Sequence, residues 1–489
     1  MEHWSLIAIA VYVFILLAIG YYSYKRTHDI SDYMLGGRGL GPMVTALSAG
    51  ASDMSGWMLM GLPGAVYTTG LSSLWLGIGL TIGAYFNYLL LAPRFRVYTE
   101  VANDSLTVPD YLENRFKDDS KMLRIVSGAI ILIFFILYVS SGIVAGGKLF
   151  ENTFGLTYTT GVVVTLSIVV LYTYFGGFLA VSLTDFFQGC LMFITLILVP
   201  VVTYMNIGVE PGTFVNKVRA IDPALFDIFR GTSFATIIGF LAWGLGYFGQ
   251  PHIVVRFMAI KSVKELKSAR RIGIGWMAVG LLGAVGSGLT GLVYFTGNNN
   301  PLQDPETVFL RLGDILFHPF ITGIIIAAVL AAIMSTISSQ LLVCSSSITK
   351  DFYLTFFNKE ASDRKQVLIG RISVLLVSAF ATFFAYLPNK TILDIVGQAW
   401  AGFGSSFGPV LLVSLYWKRM TKWGALGGML VGGLTVIIWI TSGLSSYLYE
   451  MIPGFFLSLI AVIGISLLTK KPDDSINKEF KVMEEILGE

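Results

Sequence analysis

Ala46-Leu47-Ser48-Ala49-Gly50-Ala51-Ser52-Asp53-Met54-Ser55-Gly56-Trp57 sets small and polar residues, and one carboxylate, in the middle of an apolar span covering 43–67. Trp243-Gly244-Leu245-Gly246-Tyr247-Phe248-Gly249-Gln250-Pro251-His252 does the same within 234–256, with three glycines and a closing proline. Glycine weakens a helix by about 1 kcal/mol per residue and proline by about 3, so both stretches are expected to be interrupted helices. Non-helical backbone survives at membrane depth only where protein or a water-filled cavity satisfies its polar groups.

For one glycine-rich span alone, close helix packing would be sufficient explanation. Two such spans, each with polar residues beside the glycines, ask for more. If the first opens one five-helix unit, the second opens the next, and the odd number of helices inverts the second unit relative to the first. Paired interruptions in inverted repeats are the sequence pointer to a transporter binding site. The expected fold is therefore all-α and polytopic, a ten-helix core at 41–417 with additions on both sides: an extra amino-terminal helix and loop at 1–40, two further helices at 418–469 and a tail at 470–489.

Composition agrees. The 489 residues are 55% hydrophobic and 13% charged, with a mean hydropathy of +0.73, and lipid is a better solvent for such a chain than water. A spanning helix needs about 20 apolar residues. Thirteen stretches qualify: 4–24, 43–67, 71–93, 125–147, 159–175, 183–204, 234–256, 272–295, 319–348, 369–387, 392–417, 425–442 and 452–468. The first has no cleavage site followed by a polar mature start, so it is read as a retained helix. In this arrangement 27 of the 33 basic residues fall in loops on one side, leaving Lys148, Lys217, Arg219, Arg230, Arg311 and Lys390 opposite. Basic loops stay cytoplasmic, which puts the amino terminus outside and the carboxyl tail inside.

Function classes narrow accordingly. No phosphate-binding GxxxxGK[ST] loop or large soluble domain points to an ATP-driven pump, and no repeated filter motif points to a channel. His3, His28, His252 and His318 are scattered, without HExxH or a nucleophile elbow, so the chain is not expected to be an enzyme and needs no cofactor. Cys190 and Cys344 lie in apolar helices, which argues against a disulfide framework or a zinc site.

Candidate functional residues cluster at the interruptions. Asp53 is costly at membrane depth, by at least about 2.5–3.5 kcal/mol, and so needs a partner or a role in cation binding. Ser335 and Thr336 form a polar stripe in the helix 319–348. Their hydroxyls, with freed carbonyls, suit a dehydrated hard cation, although hydroxyls bonded to their own helix are the common case. Trp57, Tyr138, Trp243 and Tyr247 offer apolar walls with polar handles, suited to a small ring carrying a charged amino group. Arg38 and Asp185 are both expected at the cytoplasmic face, where a mutual gate contact is the sharper reading and separate local roles the blander one.

DYMLGGRGLGPMVTALSAGASDMSGWMLMGLPG at 32–64, WGLGYFGQPHIVVRFMA at 243–259, LAAIMSTISSQLLVCSSSIT at 330–349 and QAWAGFGSSFGPV at 398–410 resemble bacterial sodium/proline symporters of the sodium/solute symporter family. The resemblance runs through nearly the whole chain, weakening after about Lys470. It implies the inverted-repeat fold of the leucine transporter and inward symport of L-proline with sodium, the ion serving as co-substrate. Sodium would be held by backbone oxygens of Ala51, Met54 and Ala332 and the hydroxyls of Ser335 and Thr336, with Asp53 supporting. Proline would be lined by Ser55, Gly56, Trp57, Tyr138, Trp243, Gly244 and Tyr247, while Arg38 and Asp185 match positions linked to coupling and gating. A monomer in the bacterial plasma membrane, with no nucleic-acid partner, completes the expectation. Symport of another solute, such as pantothenate, an iodide-like anion or a sugar, fits the same fold.

Overall fold

A computed structural model of the chain describes residues 3–27, 29–386 and 391–488. His28, Lys390 and the end of the expected segment 369–387 lie outside the described residues. Within them the fold is all helical, apart from a single parallel bridge between Leu40 and Ile260.

The first half contains α1 (His3–Tyr24), α2 (Pro42–Asp53), α3 (Leu62–Thr69), α4 (Leu74–Phe86), α5 (Ala92–Val101), α6 (Val108–Phe116), α7 (Met122–Phe154) and α8 (Tyr158–Ile207). The second contains α9 (Phe234–Ala242), α10 (Pro251–Ala259), α11 (Leu266–Gly297), α12 (Pro319–Ser346), α13 (Asp363–Ala385), α14 (Ile392–Tyr416), α15 (Lys422–Thr441), α16 (Met451–Leu468) and α17 (Ser475–Leu487). Proline opens α2, α10 and α12, where its missing N–H costs nothing. Thr391 and Asp394 close a reciprocal capping box on α14.

Ten helical stretches among the described residues are long and apolar enough to cross a bilayer, and 158–171 and 234–249 are shorter apolar helices. The expected segments 159–175 and 183–204 are the two arms of α8, two helices that meet at Gly177, where φ of 60° and ψ of −165° leave the helical region and only glycine adopts that backbone without strain. α12 is the hub. From Ala327 to Leu342 each of its residues is buried, enclosed by α1, α2, α7, α8 and α13.

The tail at 470–489 is not a loose end. α17 buries Ile476, Phe480 and Met483 against α5. Phe480 lies 5.3 Å from the Tyr98 ring and 4.9 Å from the Arg115 guanidinium. Glu479 accepts from the Tyr98 hydroxyl at 3.0 Å and pairs with Lys117. Phe480→Ala should cost about 3–5 kcal/mol of docking, more than the partly exposed ion pairs can hold at about 0–1 kcal/mol each. The expected outcome is release of α17 with the bundle intact, measured as faster tryptic cleavage at Lys470 and Lys478 without a change in the unfolding temperature of the bundle.

Candidate ion and substrate site

α2 unwinds one residue after its carboxylate. Met54 has φ −79° and ψ 75°, its carbonyl turned off the helical direction, Ser55 is unwound, and a π-helical turn, Trp57–Gly61, follows. The second interruption is a 3₁₀ stretch, Trp243–Gly249, ending in an extended Gln250 before Pro251 restarts α10. Both expected breaks are present.

The first break exposes acceptors that the surrounding side chains use. The Asp53 carbonyl accepts from the Ser55 amide at 2.9 Å, the Trp57 indole at 3.0 Å and the Tyr138 hydroxyl at 3.2 Å. Its carboxylate, 1% exposed, accepts from the Tyr247 hydroxyl, so one hydrogen bond joins the two breaks directly. The other carboxylate oxygen has no hydrogen-bond partner among the described residues. A small cavity of about 30 Å³ lies against Asp53, Met54, Tyr88 and Tyr247.

α12 brings its hydroxyls to the same place. Ser335 donates to the Ala51 carbonyl at 2.7 Å and lies 3.2 Å from that of Ala332. Thr336 reaches the same two oxygens at 3.4 and 3.3 Å. Two carbonyls and two hydroxyls therefore converge beside the Met54 turn, all buried and without a fixed charge of their own. Oxygen donors of this kind take a hard cation stripped of water.

The aromatic residues assemble one layer away. Trp57 and Trp243 have ring centroids 6.5 Å apart. Trp243 stacks on Trp400 at 6.3 Å and on Tyr449 at 5.6 Å, and Tyr247 meets Trp400 edge-on at 5.1 Å. The Ser55 hydroxyl accepts from the Trp57 amide at 3.4 Å. Gly56 packs under Ala145 and Ile333. Gly244 faces away from the aromatic layer: a Cβ there would lie 2.3 Å from the Gly79 carbonyl of α4, so glycine serves a backbone-to-backbone contact as well as the break. A cavity of about 340 Å³ opens beyond this layer, lined by Trp243, Asp394, Gln398, Tyr447, Tyr449 and Glu450.

The opposite side is sealed. Leu40 exchanges backbone hydrogen bonds with Ala259 and Lys261 at 3.1 and 2.9 Å. Arg38 pairs with Asp104 at 2.8 Å and donates to the Met258 carbonyl at 2.7 Å and the Ser105 carbonyl at 2.9 Å. The expected Arg38–Asp185 contact is not made, and Asp185 is not at the surface. Asp185 is fully buried and pairs with Arg256 at 3.1 Å, accepting also from Ser48 at 2.8 Å and Ser339 at 3.2 Å. Arg256 was counted among the loop cations; four residues beyond His252 on α10, it instead turns inward and donates to the His252 carbonyl.

Sequence reasoning missed Trp400, Tyr449, Arg256, Ser48 and Ser339. Trp400 stands inside one of the quoted motifs, and its position between small residues was the available signal. Ser48, Arg256 and Ser339 also stand inside quoted motifs and Tyr449 outside them, but for these four the partners are tertiary and the sequence carries no signal of them.

With this geometry in place, comparison with known proteins is informative. The sequence profile of the Sodium:solute symporter family matches residues 33–432. The chain belongs to that family. Among curated relatives of this symporter, the "Osmoregulated proline transporter OpuE" of Bacillus subtilis is 58% identical over 484 residues, covering 99% of this chain and 98% of the relative. The "High-affinity proline transporter PutP" of the same organism is also 58% identical, over 97% of this chain and 100% of its own. A "Sodium/proline symporter" of Staphylococcus aureus is 54% identical over 99% and 96%. Among solved structures, a Na+-coupled sialic acid symporter in a substrate-bound outward-open state superposes with a TM-score of 0.82 at 20% identity, covering 96% of this chain and 99% of that one. MhsT in complex with L-phenylalanine follows the symporter's fold at a TM-score of 0.51 and 16% identity, covering 87% and 97%. These likenesses bear on fold alone, and they give the symporter the five-plus-five inverted repeat of leucine-transporter type.

Proposed function

We propose that this chain carries L-proline into the cell together with sodium by alternating access. The convergence of the Ser335 and Thr336 hydroxyls on the carbonyls of Ala51 and Ala332 carries the reading, because it places cation donors on the broken helix beside the aromatic layer. The names of the relatives at 54–58% identity support proline as cargo. Sodium is bound by these four groups and the Met54 carbonyl, and Asp53 supports the site through Tyr247. Trp57, Tyr138, Trp243 and Tyr247, with Ser55, Gly56 and Gly244 shaping the backbone, line the proline site.

Both ligands order the same break, so each tightens the other by a single reciprocal free energy, typically about 1–3 kcal/mol. Proline's carboxylate faces the amino end of the half-helix that restarts at Gly56, as anions favour such an end. Arg38 and the Asp185–Arg256 pair hold the inner side shut until both ligands are in place. The topology is thirteen crossings with the amino terminus outside, the 41–417 core between its flanking helices, and a monomer as the working unit.

The test is uptake of labelled proline into proteoliposomes with an imposed inward sodium gradient. Accumulation that collapses when the gradient is reversed, and that excess pantothenate, iodide or sugar leaves intact, is the expected result. Uptake indifferent to sodium, or blocked by one of those solutes and not by proline, would sink the reading.

A further inference from the structure

A further cavity, sharing no lining residue with those at the two breaks, lies between the end of α1 and the start of α13. Its volume is about 610 Å³, and its lining includes Tyr24, Lys25, Asp29, Asp363, Arg364 and Arg371. That size is within the range of ordinary ligand pockets, about 300–1,000 Å³.

Its depth relative to the bilayer is set by its two helices. α1 is apolar from Trp4 onward and ends in Tyr21, Tyr22 and Tyr24, all exposed, the aromatic girdle expected where hydrocarbon meets water. α13 begins with Asp363, Arg364 and Lys365 and from Leu368 presents exposed apolar residues, among them Ile372, Leu376 and Phe380. The cavity therefore opens to water on one side and borders two acyl-facing helix surfaces on the other.

Its charge favours an anion. The Arg371 guanidinium is fixed in place, donating to the Tyr174 carbonyl at 2.9 Å and lying 5.2 Å from the Tyr174 ring. Lys25 is held over the Tyr21 ring at 4.6 Å, and neither it nor Arg364 makes an ion pair among the described residues. Arg26 and Lys365 flank the opening, over Tyr22 and Tyr353. Two carboxylates oppose these cations. That of Asp29 is engaged in capping, accepting from the Asp32 amide at 2.8 Å, and that of Asp363 lies in the first turn of α13, where the helix dipole partly offsets it.

We infer that this groove binds the headgroup of an anionic phospholipid, its phosphate between Lys25, Arg364 and Arg371 and its acyl chains along the exposed faces of α1 and α13. The inference rests on α1 and α13 crossing the bilayer and is independent of which solute is carried. A soluble anion would use the cations equally well but would leave the acyl faces unexplained.

Native mass spectrometry of the purified full chain, titrated with phosphatidylglycerol or phosphatidylcholine in detergent, tests it. Selective phosphatidylglycerol adducts are expected. Lys25→Gln with Arg364→Gln should weaken them about thirtyfold, since each basic residue near a lipid surface contributes about a fivefold factor. Lys264→Gln with Lys267→Gln, in the turn before α11 and at its start, should leave them intact. Equal retention of the two lipids, adducts that survive in the Lys25/Arg364 variant, or full displacement of phosphatidylglycerol by millimolar glycerol 3-phosphate would each overturn the proposal. Sodium-dependent proline binding, measured on the same samples, reports folding of the variants. Its loss in wild-type protein that still retains phosphatidylglycerol would count against the transport reading and leave the lipid site standing.

Discussion

Ser335→Ala combined with Thr336→Ala is expected to raise the sodium concentration for half-maximal proline uptake by about a hundredfold or more. In the proposed ion site each hydroxyl supplies a dipole to a dehydrated cation, and a hydrogen bond or dipole to a charged group contributes about 1.5–3 kcal/mol, with 1.4 kcal/mol equal to a factor of ten. Ser335 should dominate, because it already sits 2.7 Å from the Ala51 carbonyl whereas Thr336 sits at 3.4 Å. Neither side chain belongs to the aromatic layer, so proline affinity measured at saturating sodium should change by only a few fold. The coupling between ligands converts any failure to reach saturation into an apparent loss of proline affinity. A sodium titration extended well beyond the new midpoint separates the two. If proline affinity fell as far as sodium affinity under those conditions, the hydroxyls would be holding α12 against α2 rather than serving an ion.

The two breaks could be read from residues because their cause is local. Small and polar residues with glycine, and a proline behind them, make a poor helix wherever they occur, and Met54–Ser55 and Gln250 unwind where that density is highest. Partners of charged groups are a different matter. Arg38 and Asp185 were both assigned to one membrane face, and charge alone made them candidates for each other. What decides the pairing is the restart of helix at Pro251: it rotates Arg256 into the bundle, while Leu40 and Ala259 draw Arg38 toward the end of α10. Neither event leaves a trace in composition. The break at Gly177 is intermediate, since a gap between 175 and 183 was visible but the residue at which the two helices meet was not. Trp400 was visible and unassigned, because its role depends on α14 lying against the second break, where its indole donates to the Trp243 carbonyl at 2.8 Å.

Asp185→Asn or Arg256→Gln alone should shift the protein strongly toward an inward-open arrangement. The pair is fully buried, and Ser48 of α2, Arg256 of α10 and Ser339 of α12 all meet the same Asp185 oxygen on α8. Four helices, including both interrupted ones, are thus held at a single point on the sealed side. Removing one member of a buried pair leaves the other uncompensated, at a cost of about 3–5 kcal/mol. That cost falls mainly on the closed arrangement, since opening admits water to the orphaned charge. A shift of about two to three orders of magnitude in the closed-to-open ratio follows, read as faster alkylation of a cysteine placed at Val255 from the cytoplasmic side. The double variant Asp185→Asn/Arg256→Gln removes both charges and should recover a large part of the closed population. A charge exchange between Arg38 and Asp185 should recover none, because Arg38 holds Asp104 and the Met258 carbonyl instead. Strictly additive single effects in the double variant would mean that the pair does not act as the inner closure, and the seal would then rest on Arg38 and the Leu40 backbone contacts alone.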